Sequence, residues 1–77
     1  MPLNVYPNID ASGSVPVGWT LLPGGVLKYS VKNKVLLRYL RQLLPGAWSK
    51  VIKKGVKGEV HYFEHASGKV ADVKYFP

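Results

Sequence analysis

The sequence predicts an α+β domain: an irregular N-terminal arm, one main helix of about residues 31–44, and a small antiparallel sheet with a three-stranded C-terminal meander. Three observations carry this. Apolar residues repeat with helical spacing from Val31 to Leu44, then with a period of two after Pro45-Gly46. The late strand-like segments are separated by only a few residues, which suits antiparallel pairing and leaves no room for parallel crossovers. The chain has 77 residues, enough for one core, so 1–77 reads as a single small domain with a Pro/Gly-rich arm over 1–25 and a body over 26–77.

In the arm, Pro2, Pro7, Pro16 and Pro23 leave little room for regular structure. Val15–Leu22 reads as a short edge strand ending at Pro23-Gly24-Gly25, and Val26–Tyr29 as a second extended piece. Ser30 has the chemistry of an N-cap. Val31, Val35, Leu36, Tyr39, Leu40 and Leu43 then form one apolar helical face, and Lys34, Arg38 and Arg41 a basic stripe on another. That stripe suits a phosphate-tracking face and an ordinary solvated one equally. Pro45-Gly46 stops the helix. Ala47–Lys53, Glu59–His65 and Lys69–Phe76 read as strands punctuated by Gly55, Gly58 and Ser67-Gly68.

The formal charge of +7 is unevenly laid out. Nine cations (Lys28, Lys32, Lys34, Arg38, Arg41, Lys50, Lys53, Lys54 and Lys57) occupy a stretch without acids. Both histidines and three of the four acids follow it, in the last nineteen residues. Such a body expects a polyanion or an acidic protein as partner. Hydrophobic residues make up 47%, too many for a disordered basic tail. The absence of cysteine excludes disulfides and thiolate zinc sites. No apolar run approaches the ~20 residues of a membrane-spanning helix. The N-terminus lacks a secretory signal core, so export would depend on a larger precursor.

The last hairpin assembles a chemically capable set. A two-residue turn at Ser67-Gly68 pairs His61 with Lys74, Glu59 with Phe76 and Phe63 with Asp72. One face then carries Val60, Tyr62, Glu64, Ala71, Val73 and Tyr75, and is expected to sit on the helix. The other carries Glu59, His61, Phe63, His65, Asp72 and Lys74. RNA cleavage without a metal requires a base for the 2′-hydroxyl, an acid for the leaving 5′-oxygen and a cation for the phosphorane. His61 and Glu59 are candidates for the proton transfers, with Lys74 or Lys50 as the cation; His65 and Asp72 are secondary candidates. Lys34, Arg38, Arg41, Lys53, Lys54, Lys57 and Phe63 are candidate RNA contacts, Phe63 as a stacking surface. Exposed His, Glu and Lys on a small sheet are more often a plain solvated surface than a catalytic one, and no spacing here is diagnostic. His61-Tyr62-Phe63-Glu64-His65 matches the zinc-protease string H-x-x-E-H, but that chemistry needs a helix and a third ligand, so no metal site is expected.

Trp48-Ser49-Lys50-Val51-Ile52-Lys53-Lys54-Gly55, Gly58-Glu59-Val60-His61-Tyr62-Phe63 and Ser67-Gly68-Lys69-Val70-Ala71-Asp72-Val73-Lys74-Tyr75-Phe76 together resemble the closing segments of bacterial polymorphic toxins. These are C-terminal warheads of contact-dependent inhibition, Rhs-type and haemagglutinin-like proteins. The resemblance is a loose pattern over residues 47–77. It implies a ribonuclease of the broad group that includes barnase-like and colicin-type tRNA or rRNA nucleases, with the active site on a sheet surface and no metal or other cofactor. It also implies an acidic immunity protein as inhibitor, and delivery into a target-cell cytoplasm from a larger secreted toxin. Carried over, the pattern gives Glu59 and His61 acid/base roles and Lys74 a phosphate role. The alternative from charge alone is a non-catalytic basic module, cytoplasmic, that binds nucleic acid or an acidic protein.

Overall fold

The structure, a computed structural model, describes residues 3–6, 21–56 and 58–76. Its elements are β1 (Leu3–Tyr6), β2 (Leu21–Ser30), α1 (Lys34–Leu43), β3 (Trp48–Gly55), β4 (Gly58–His65) and β5 (Val70–Phe76). All neighbouring strands are antiparallel, in the order β1-β5-β4-β3-β2. The α+β class and the β3-β4-β5 meander match the sequence reading. The described parts of the arm, however, are strands. β1 pairs with β5, Leu3 opposite Tyr75. Leu21–Ser30 is one strand rather than two pieces, and most of the expected Val15–Leu22 strand lies outside the described residues. β2 absorbs Pro23-Gly24-Gly25 as an irregularity between Leu21↔Gly55 and Val26↔Lys53. Gly25 is indispensable there, because a Cβ would stand 2.5 Å from the Lys54 carbonyl oxygen.

The helix begins later than expected. Ser30 pairs with Ser49 inside β2 and is not a cap. Asn33 is the N-cap: its side-chain oxygen accepts from the Val35 and Leu36 N–H groups at 3.0 and 3.1 Å. The strand ladder satisfies the Ser30 backbone, so the helix start moves to the next residue able to cap. At the other end Arg41 Nε donates to the Gly46 carbonyl at 3.3 Å, placing a cation where the helix dipole is negative.

The core is divided between the two sheet faces. On one, Leu40, Trp48, Phe63 and Ala71 are buried, with Val31, Leu36, Leu37, Leu43 and Leu44 packed around them. On the other, Val51, Val60, Tyr62, Val70 and Val73 are buried, with Tyr75 against them. The helix therefore sits on the face of Phe63, not on that of Val60, Tyr62 and Val73 as the alternation implied. Val35 and Tyr39 do not join the helix core; they are 75% and 43% exposed. Leu37 and Leu44 take their places, because Trp48 and Phe63 lie under that flank of the helix.

The last hairpin explains part of this reversal. Its loop has three residues, Ala66-Ser67-Gly68, closed by His65 N–H donating to the Lys69 carbonyl at 2.8 Å and Gly68 N–H donating to the His65 carbonyl at 2.9 Å. The extra residue shifts the register near the tip, giving Glu64↔Val70 and Phe63↔Ala71. A bulge at Asp72, with φ of 55°, takes the shift back and restores His61↔Lys74, Val60↔Tyr75 and Glu59↔Phe76. Ala71 thus joins Phe63 under the helix, while Val70 and Val73 share the other face.

Candidate functional site

Cross-strand partners point to the same side of a sheet, so the register maps the helix-bearing face row by row. The row Trp48–His65 and the row Tyr29–Lys50–Phe63–Ala71 come first. Below them run Leu27–Ile52–His61–Lys74 and then Lys54–Glu59–Phe76. Leu40 covers Trp48, Phe63 and Ala71. The lower rows keep partial exposure, and His61 stands at their centre.

His61 Nε2 lies 2.9 Å from Glu59 Oε2, one strand repeat away on β4. Its ring rests against Phe76, centroids 4.6 Å apart and planes tilted by 50°. Lys74 is its direct cross-strand neighbour, with Cβ atoms about 5 Å apart by sheet geometry. Asp72 Oδ2 lies 3.4 Å from Lys74 Nζ and draws that ammonium toward the bulge. Lys50 and Lys54 are diagonal neighbours on β3, roughly 7–8 Å away. The hydrogen bond from His61 holds the Glu59 carboxyl below its ordinary value, desolvation opposes this, and the Lys54 charge adds to the lowering. Glu59 is thus an ionised acceptor hydrogen-bonded to an imidazole, with Lys50, Lys54 and Lys74 as neighbours of the pair.

The expected trio of His61, Glu59 and Lys74 is brought together, with Lys50 and Asp72 at its margin. His65 is not part of it. Its Nε2 is 2.8 Å from the Pro45 carbonyl and its Nδ1 accepts the Ser67 N–H at 3.0 Å. These contacts tie the hairpin tip to the helix exit, and the ring stands edge-on to Trp48 at 5.2 Å. The H-x-x-E-H string accordingly lies on a strand, its two histidines about 13 Å apart along it, and Glu64 pairs with Lys28 at 3.0 Å on the opposite face. Among the described residues no group of three or more His, Cys, Asp or Glu is placed to hold a metal ion.

Phe63 is buried at 8% exposure beneath the helix and offers no surface for a base. Lys53 faces the other side of the sheet, its ammonium 5.4 Å from the centroid of Tyr62. Lys57 lies outside the described residues. Lys34, Arg38 and Arg41 do share one flank of α1, where with Leu37 and Gln42 they line an open hollow of about 510 Å³. Sequence reasoning passed over Tyr29 and Phe76 on the site face. Phe76 was legible as the partner of Glu59; Tyr29 required the β2–β3 pairing. Comparison with protein-family models, curated proteins and solved structures returned no match. Among the described residues no helix is long and apolar enough to cross a membrane.

Proposed function

We propose that this chain is a metal-independent ribonuclease domain of the polymorphic-toxin kind, cleaving cellular tRNA or rRNA at the His61 centre. The observation that carries the reading is the 2.9 Å hydrogen bond between His61 and Glu59, with Lys74 directly across from His61. In the starting state Glu59 is a carboxylate and His61 an imidazolium. Glu59 takes the proton of the 2′-hydroxyl, and the 2′-oxygen attacks phosphorus. The bond from phosphorus to the 5′-oxygen breaks, and His61 protonates that oxygen. The products are a 2′,3′-cyclic phosphate and a 5′-hydroxyl end. Glu59 now holds the proton His61 lacks, and one transfer across their hydrogen bond resets the pair. Lys74, with Lys50 or Lys54, opposes the charge that builds on the phosphorane.

The toxin setting, with an acidic immunity protein over the basic surface and delivery into a target-cell cytoplasm, rests on the resemblance of residues 47–77. The cationic flank of α1 favours a second reading, a binding module without catalysis. Incubation with total RNA in EDTA separates the two. Discrete fragments from the wild type, absent with His61→Ala and strongly reduced with Glu59→Gln, are expected of the enzyme. Intact RNA, or cutting that His61→Ala leaves unchanged, refutes it. Salt-dependent RNA binding without turnover establishes the module instead.

A further inference from the structure

We infer that Tyr29 and Phe76 are base-stacking platforms on either side of His61, and that the site takes single-stranded rather than duplex RNA. The inference rests on the reading of that site as one that binds RNA.

Tyr29 lies on the edge strand β2, opposite Lys50, on the face that carries His61. It is 50% exposed, and its ring packs against no other aromatic ring among the described residues. Phe76 lies on β5, two strands beyond β3, with its half-buried ring leaning on His61. On the grid of strand spacing and rise, Tyr29, His61 and Phe76 fall along one diagonal of about 20 Å. Lys50 and Ile52 lie beside its first half, Lys74 and Glu59 beside its second. Aromatic surfaces thus stand at both ends of the track, cations along it and the proton-transfer pair within it.

A large exposed aromatic on an edge strand is a self-association hazard unless something uses it. Stacking requires a base with a free π-face, which a single strand supplies at every nucleotide. In an A-form duplex those faces are already stacked inside the helix, and its exterior presents phosphates and 2′-hydroxyls. A duplex engages only the lysines; a single strand engages the lysines and both rings. The same geometry makes the binding tolerant of base identity, because stacking does not read the base edges.

The test is fluorescence anisotropy with a short labelled single-stranded RNA and a hairpin duplex of the same length, at one salt concentration. The protein carries His61→Ala so that the RNA stays intact. The single strand is expected to bind about tenfold more tightly than the duplex. Adding Tyr29→Ala should cost about tenfold for the single strand and leave the duplex unchanged, while Tyr29→Phe restores the single-strand affinity. Equal affinity for the two forms, or a Tyr29→Ala variant that is folded by circular dichroism and binds the single strand undiminished, overturns the inference. Cleavage by the protein with His61 intact is followed in parallel. Cutting with Tyr29-independent binding removes the platforms and keeps the nuclease. Tyr29-dependent binding without cutting removes the nuclease and keeps the platforms.

Discussion

Glu59 and His61 sit two residues apart on one strand, and the hydrogen bond from His61 lowers the carboxyl of Glu59. The sign of the effect on stability follows from the lowered carboxyl. The folded chain holds the Glu59 proton more weakly than the unfolded chain does. The stabilisation is therefore fully present above the unfolded carboxyl value and is lost as pH falls through the folded one. Melting curves of wild type and Glu59→Gln should differ near neutral pH, with the wild type higher, and converge in strong acid. A difference that stays constant down to the lowest pH would show that the hydrogen bond carries no proton linkage. The pairing of His61 with Lys74 was legible from sequence, but by cancellation. The three-residue loop and the bulge at Asp72 each displace the register by one, in opposite senses. Aspartate tolerates a positive φ better than most residues, yet that tolerance alone did not mark position 72 as the place where it would be used.

At the scale of elements, the helix start shows how tertiary pairing outranks a local signal. Ser30 and Asn33 are both good caps, and nothing within three residues of sequence chooses between them. The choice belongs to β3: because Ser49 pairs with Ser30, β2 runs on and Asn33 inherits the cap. Asn33→Ala should cost about 1 kcal/mol in urea unfolding, and Ser30→Ala, on an exposed strand end, less than about 0.5 kcal/mol. The reverse ranking would place the cap at Ser30. The strands β3, β4 and β5 were legible because their alternation, bounded by glycines, is a local signal. β2 was not, since Pro23-Gly24-Gly25 reads as an end, whereas the strand runs through it with Gly25 leaving the room that the Lys54 carbonyl occupies.

For the whole molecule the decisive event is which sheet face receives the helix. Leu40 is fully buried against Trp48, Phe63 and Ala71, and this contact closes the upper rows of the site face while leaving His61 and its neighbours open. Leu40→Ala should destabilise the fold by about 2–5 kcal/mol. Val35→Ser, at a position the apolar periodicity assigns to the core, should change it by less than about 0.5 kcal/mol. Chemical denaturation of the two variants checks the pair. A large loss from Val35→Ser would mean that the helix is rotated from the orientation described.

The sequence by itself determined the α+β class, the helix and three late strands, the basic stretch of residues 28–57, and the meeting of His61, Glu59 and Lys74. Each follows from local periodicity or from pairing across a short hairpin, where few arrangements compete. Only the tertiary structure decided the start of the helix, the continuity of β2, the face that the helix covers, and with it the burial of Phe63 and the exposure of Tyr29. Two faces of this sheet carry apolar residues, so alternation offered the helix two seats. The fit of Leu40 among Trp48, Phe63 and Ala71, which lie far apart in sequence, selected one and set the +7 charge around a half-covered sheet with the His61–Glu59 pair left open.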